Sequence, residues 1–260
     1  MLDFGRVLYT NHLGQVFRFG EEAGTFLGGL ESLFSYARSY SADASAYQSI
    51  AVAPRAIPVT VVFNGDVPKS RSRFFEVVDR DADARTPGAL QVGDYRIKGI
   101  FVSSDNSSFE YGYGEMARSM VFLSDNPIWT RDVVKVFEAD QTRAAIINES
   151  YRPSPVTIEM FGSAQTTTAS VTIGDSTYEI GVAVPAGSIL TIDGLAKTAI
   201  LRDSAGNETN VLDDRVGEQV KGSGYYLFEE VASGYNAITS RTHGRLRITL
   251  HEQRLEVKFK

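Results

Sequence analysis

Apolar and polar residues alternate with a spacing of two along most of this chain, the pattern of half-buried strands, and fall into a helical spacing in only two places. Arg6-Val-Leu-Tyr9 and Gln15-Val-Phe-Arg-Phe19 predict two short strands, with Asn11 to Gly14 as the turn between them. Leu30, Leu33, Phe34 and Ala37 have helical spacing, although a strand fits there nearly as well. Ser39 to Ser49 is rich in Ser, Ala and Tyr without a period, and reads as a long exposed arm that a partner would order. Pro58 to Asn64 predicts a strand ended by Asn64-Gly65. The strongest helix covers Ser70 to Arg85, with Phe74 or Phe75, Val78 and Ala82 on its apolar face and Pro87-Gly88 as its stop. Tyr95 to Ser103, Phe109 to Tyr113 and Arg118 to Leu123 follow as strands, with a turn at Asp105-Asn106.

The pattern breaks at Met120-Val-Phe-Leu-Ser-Asp-Asn-Pro-Ile-Trp129. Pro127 cannot donate to a ladder and biases Asn126 away from helix, so the strand ends there. Trp129, the only tryptophan, follows at once and reads as a plug at the bottom of the first domain. Pro127 and Trp129 are therefore the expected domain junction. Beyond it short strands recur with turn residues between them: Val156 to Phe161, Ala169 to Ile173, Tyr178 to Val184, Ile189 to Ile192, Thr198 to Arg202, Tyr225 to Val231, Asn236 to Thr239, Arg245 to Leu250 and Arg254 to Phe259. Such spacing predicts a β-sandwich. The expected plan is mainly β: residues 1–137 as a barrel- or sandwich-like domain with one helix, and residues 138–260 as a β-sandwich. Strand 254–259 either stays in the sandwich or returns to the first domain.

Composition narrows the chemistry. The chain has no cysteine, which excludes disulfides, thiolate metal sites and a cysteine nucleophile. No apolar stretch reaches the length of a membrane-spanning helix, so no membrane anchor is expected, and no secretory signal is visible. A net charge of −6 gives no basic footprint for nucleic acid. His12, His243 and His251 lack metal-ligand spacing and read as surface or structural residues. Asp79-Arg-Asp81-Ala-Asp83 begins like a calcium loop, but Ala84 and Leu90 stand where that loop needs Gly and Glu, which leaves an acidic solvated helix end. Glu229 and Glu230, on opposite faces of the strand expected there, cannot flank one glycosidic bond. Gly194-Leu-Ala-Lys-Thr198 lacks the glycine that should precede the lysine of a phosphate loop. No Gly-x-Ser-x-Gly elbow occurs. No catalytic residue, metal site or cofactor is expected, and the chain is not read as an enzyme. Tyr111, Tyr113, Tyr225, Tyr226 and Tyr235 suit packing and subunit contact better than a sugar-binding face.

The order of these pieces resembles the distal tail protein family of long-tailed, siphovirus-type bacteriophages. The resemblance is carried by Pro54-Arg55 leading into Ile57-Pro-Val-Thr-Val-Val-Phe-Asn-Gly65, and by the helix Arg73 to Arg85 followed by Asp94-Tyr-Arg-Ile-Lys-Gly-Ile-Phe-Val102. It continues in Val121-Phe-Leu-Ser-Asp-Asn-Pro-Ile-Trp129, Asn148 to Pro155, Val184-Pro-Ala-Gly-Ser-Ile-Leu-Thr-Ile-Asp193, Gly206-Asn-Glu-Thr-Asn210 and Gly234-Tyr-Asn236. It implies a virion protein of the tail tip, made in the host cytoplasm. Its first domain would build a homo-hexameric ring, and its second, galectin-like sandwich would project outward. The implied partners are the tail tube protein, the tail-tip hub or tail-associated protein, and further the tape measure and receptor-binding proteins, with DNA only passing through the ring channel. A closed ring needs two different patches per subunit. The expectation is that the arm, with Arg38, Tyr40, Tyr47 and Arg55, and the strands bearing Tyr95, Arg96, Tyr111 and Tyr113 supply them. The alternative is a carbohydrate-binding adhesin module in the second domain.

Overall fold

The computed structural model of the chain describes residues 6–21, 24–28, 38–42, 47–110, 115–138, 143–163, 169–241 and 244–255. The chain divides into two compact units, Met1–Thr130 with Arg254–Lys260, and Arg131–Gln253. Both are built almost wholly of antiparallel strands, and one α-helix is present among the described residues.

In the first unit the strands are β1 (Val7–Thr10), β2 (Val16–Phe19), β3 (Thr25–Gly28), β4 (Arg38–Ala42), β5 (Tyr47–Val52), β6 (Arg55–Asn64), β7 (Gly88–Val92), β8 (Tyr95–Glu110) and β9 (Glu115–Ser124). Neighbours run in the order β2-β1-β7-β8-β9-β6-β3. β8 is the spine of this arrangement. Its start pairs with β7 from Gly88↔Gly99 to Val92↔Tyr95, and the rest pairs with β9 from Ile100↔Leu123 to Glu110↔Glu115.

The turn expected at Asp105-Asn106 is therefore absent, and β8 runs through it. The ladder to β9 satisfies these backbones, and the irregularity is absorbed at Phe101/Ser103 and Asn106/Ser108 as bulges instead. The arm is also ordered within the chain: β4 and β5 form a hairpin from Arg38↔Val52 to Ala42↔Tyr47, where an unstructured loop was expected. Two strands pairing with each other satisfy backbone groups that a loop would leave to a partner. The helical spacing at Leu30 to Ala37 lies outside the described residues. Pro58 sits in the interior of β6, paired with Val121 of β9, while β3 covers the other side only from Thr60 to Phe63. The missing N–H thus falls where β3 has already stopped.

Helix α1 (Val67–Ala84) starts three residues earlier than its periodicity predicts. Asp66 caps it by accepting from the Lys69 N–H at 3.3 Å, and Pro68 occupies the first turn, where no N–H is needed. Its buried face is Ser70, Phe74, Val77, Val78 and Asp81, so Phe74 rather than Phe75 enters the core. The Phe74 ring meets Phe17, Phe63 and Phe101 edge-on with centroids 5.3, 5.8 and 5.6 Å away. The helix ends at Arg85, a side chain held at φ 52°. A left-handed conformation strains any residue with a Cβ. Arg85→Gly should therefore raise stability by about 0.5–1 kcal/mol, the relief being partly offset by the freer unfolded glycine; thermal unfolding followed by circular dichroism checks this.

In the second unit β10 (Trp129–Phe137, from Arg131 on), β12 (Val156–Phe161), β15 (Ile189–Asp193), β16 (Thr198–Arg202), β17 (Glu208–Asn210) and β19 (Leu246–Arg254, as far as Gln253) are neighbours in the order β17-β16-β15-β12-β19-β10. The other sheet is β11 (Arg143–Asn148), β18 (Gly234–Ser240), β13 (Ala169–Ile173) and β14 (Ser176–Ile180), ordered β11-β18-β13-β14. Ile158, Leu190 and Ile248 of the first sheet share a core with Ile146, Val171 and Ile238 of the second. The result is a sandwich.

One strand expected here does not form. Tyr225 to Val231 is turn and loop with a single bridge, Ser154↔Val231. β19 runs on to Arg254, past the expected end at Leu250, and the strand expected over 254–259 lies from residue 256 onward outside the described residues. Three strands, β10, β11 and β17, were not legible in the pattern. In β10 the exposed Val134 and Val136 obscure the alternation.

Candidate assembly surfaces and buried polar clusters

The residues expected at subunit contacts are placed as follows. Arg38 and Tyr40 lie on β4 across from Val52 and Ile50, and Tyr47 lies on β5 across from Ala42. Arg55 opens β6 across from Ser124, with its pKa lowered by burial. Arg96 lies on β8 between Gln91 and Thr130, and its carbonyl accepts from the Thr130 hydroxyl at 3.3 Å. Tyr95 points to the opposite face and is only 7% exposed, packed in the core with the Arg254 guanidinium 5.9 Å from its ring centroid. The Tyr95 ring therefore packs chiefly within its own unit. Tyr111 and Tyr113 lie outside the described residues.

Pro127 is buried and Trp129, at 1% exposure, packs in the core of the first unit. The chain leaves that unit after Thr130, one residue past Trp129.

The helix end read as a solvated acidic segment is exposed at Asp79 and Asp83 but not at Asp81. Asp81 is fully buried, because it continues the stripe of Phe74, Val77 and Val78 into the core. Its carboxylate accepts from the Tyr9 hydroxyl, from the His12 backbone N–H at 2.9 Å and from the His12 ring through Nδ1. Burial first, then the hydrogen bond and charge of Asp81, pushes the Tyr9 hydroxyl far above the phenol range. Tyr9 is thus a permanent donor. Gly88 borders the cluster, and a Cβ there would overlap the Asp81 carboxylate, the Tyr9 hydroxyl and the Thr10 carbonyl. The signal available in the sequence was an aspartate at a core position of a helical period.

A second buried carboxylate, Glu252 on β19, accepts from Arg131 Nε at 2.9 Å and Nη2 at 2.6 Å, and from the Glu149 N–H at 2.7 Å. One residue earlier His251 lies between Asp132, at 2.7 Å from Nδ1, and Thr157, at 2.8 Å from Nε2. The buried carboxylates of both clusters are held by structural partners, and Arg131 and Glu149 of the second also border a cleft of about 230 Å³. His243 lies outside the described residues. Glu229 and Glu230, placed in a loop rather than the expected strand, bind the Gly222 N–H at 2.6 Å and Lys221 at 3.3 Å. Among the described residues no group of three or more His, Asp or Glu side chains could hold a metal ion, and no helix is long and apolar enough to cross a membrane.

In the exposed loop at Asp203 the carboxylate accepts from the N–H groups of Ala205 and Asn207 at 2.9 and 2.8 Å and from the Asn207 amide at 2.8 Å. The Asn207 bonds, chiefly, hold its pKa below the ordinary carboxylate value. The loop geometry should therefore be firm above the ordinary carboxylate range and loosen as pH falls through the depressed pKa. Carboxyl chemical shifts read through an acid titration check the direction.

No family model matches the sequence, and no curated protein matches it. Solved structures do. The crystal structure of SPP1 Dit (gp 19.1), described as a paradigm of the hub adsorption apparatus in phages that infect Gram-positive hosts, superposes with a TM-score of 0.64 at 11% identity, over 96% of this chain and 98% of that one. A chain of the phage P2 baseplate in its activated conformation with Ca gives 0.59 at 8% identity, over 97% and 99%. The same baseplate with Sr gives 0.58 at 8% identity, over the same shares. Along nearly its whole length, then, this chain has the fold of a siphophage distal tail protein and of a phage baseplate subunit.

Proposed function

We propose that the chain is a structural subunit of a phage tail, a distal tail protein of the virion tail tip rather than an enzyme. The observation that supports this best is the match of fold over both units together, 96% of this chain against 98% of SPP1 Dit, since a shared sandwich alone would cover only one. In this reading six copies close into a ring through the first unit. The ring joins the tail tube to the tail-tip hub and the receptor-binding apparatus, and DNA passes through its channel. The second unit is a galectin-like sandwich directed outward, and Pro127 and Trp129 mark the junction between the two. The β4–β5 hairpin, with Arg38, Tyr40 and Tyr47, meets a neighbouring subunit near Arg55 and Arg96. A hairpin whose strands, among the described residues, pair with each other alone gains little stability by itself, which favours a role in contact.

Negative-stain microscopy of the purified protein tests the ring: a six-fold particle with a central hole is expected, and a monodisperse monomer at micromolar concentration would sink the reading. Deleting residues 40–50 should lower ring occupancy in mass photometry.

The second reading, sugar binding by the sandwich, draws on one feature. Tyr235, 72% exposed, stands across the ladder from Ile147, 55% exposed, beside a cleft of about 230 Å³ that Arg131, Lys135 and Glu149 also line. Aromatic platforms with polar rims do hold sugars. A glycan array with residues 131–253, set against Tyr235→Ala, separates the two readings.

A further inference from the structure

The sheet of the first unit has an outer face without charge. Across β6 and β9 the ladder sets Pro58 opposite Val121 and Thr60 opposite Ser119. These positions alternate with Ile57, Val59, Met120 and Phe122, which are buried, so they belong to the outward rows of their strands. No outward position of β6 from 56 to 62 or of β9 from 117 to 123 is charged, although charged residues make up 22% of the chain. The flanking strands β3 and β8 add the exposed Phe26 and Val102. Seven residues at about 3.4 Å make the face about 24 Å long, and four strands about 4.8 Å apart make it about 19 Å wide, roughly 450 Å². Uncharged patches of that size are commonly functional. It is about half of the ~800 Å² that one side of a stable interface buries, so the contact closes together with a second patch, as a head-to-tail ring requires.

The β4–β5 hairpin has a matching composition. Its register pairs Tyr40 with Ile50 and Arg38 with Val52, while Ser39 pairs with Ala51 and Ser41 with Ser49. The period of two therefore separates a row of aromatic and aliphatic residues, ended by Arg38, from a row of Ser and Ala. Between Ser39 and Val52 the sequence has one charged residue, Asp43. An isolated two-stranded hairpin is marginally stable in water, and packing its apolar row about 10 Å above another sheet takes that row out of water. The hairpin of the same chain does not cover the face just described, because Pro58, Ser119 and Leu123 are exposed in the single chain. The six residues of β5 span about 20 Å, which fits within the length of the face.

We propose that the uncharged outer face of β6 and β9 receives the β4–β5 hairpin of a second copy of this chain. This rests on the assembly reading above and names the surface on which two neighbours meet. Arg55, which opens β6, stands at the rim of that surface.

The chain has no cysteine, so introduced thiols report contact without background. Sheets packed face to face lie beyond the reach of a disulfide, and a short bismaleimide spans the gap. Full-length chains carrying Ile50→Cys and Ser119→Cys, one substitution per chain, are co-expressed and treated with it. A linked peptide joining positions 50 and 119 is expected by mass spectrometry, and with one thiol per chain that link can form only between copies. Ser119→Arg, at an exposed position that leaves the core intact, should weaken assembly more than about tenfold in mass photometry, because it would bury an unpaired cation. Ser119→Ala should leave assembly unchanged. A ring without the 50–119 link, or one that Ser119→Arg does not weaken, overturns the docking face, assigns it to a different partner and leaves the assembly reading standing. A monomer at micromolar concentration in the unmodified chain overturns both.

Discussion

Trp129→Ala should lower the stability of the first unit by about 3–5 kcal/mol, at the upper end for single core truncations. The side chain is 1% exposed and is the largest in the buried core. Two features limit how far the site can collapse around the gap. Pro127 is buried two residues before it, and on its other side Thr130 is fixed to β8 through the Arg96 pairing. Urea unfolding followed by far-ultraviolet circular dichroism reads the change, and Trp129→Phe should cost markedly less because most of the volume is kept. The unmodified protein offers a convenient control: its only tryptophan makes intrinsic fluorescence a reporter of the first unit. In the assembly reading the same substitution should reduce ring formation in parallel with stability. A Trp129→Ala protein with an unchanged urea midpoint would contradict the role of plug.

The second large effect is expected at Asp81. Asp81→Ala should destabilise the first unit by about 3–5 kcal/mol, because it strands the Tyr9 hydroxyl, the His12 N–H and the His12 ring without their acceptor. The Tyr9 hydroxyl has one further acceptor, the Gly99 carbonyl at 3.2 Å, which recovers a part of the loss. The pair Tyr9→Phe with Asp81→Leu should recover more, since removing both partners leaves fewer buried polar groups unpaired. A double mutant no more stable than Asp81→Ala would show that the carboxylate acts through His12 alone. The same measurement on Gly88→Ala should show a comparable loss, because the added methyl would push into this cluster.

These two sites differ in how they could be found. Trp129 announced itself: a lone tryptophan directly after Ser-Asp-Asn-Pro is a local signal, and the strand end at Ser124 and the buried ring agree with it. Asp81 was misread because charge was weighed above period; its place three and four residues after Val78 and Val77 puts it on the buried stripe. The meeting of Arg71 and Arg118 over the Phe75 ring could not be found at all, since the two are separated by 47 positions and come together only when β9 lies near the helix. Likewise the Arg131–Glu252 pair joins residues 121 positions apart.

What the chain's order of residues determined by itself was everything that depends on neighbours within a turn or a strand. The alternation in β6, β12, β15 and β16, the apolar stripe of the helix with its Pro87-Gly88 stop, and the mainly β plan all follow from spacings of two to four residues. What only the tertiary structure decided was which competing local preference would prevail. Asp105-Asn106 favours a turn, yet β9 offers a continuous ladder and β8 runs straight through. Tyr225 to Val231 is rich in strand-forming residues, yet it pairs by a single bridge and remains a loop. A strand is stable only when another strand satisfies its backbone, and that partner can lie anywhere in the chain.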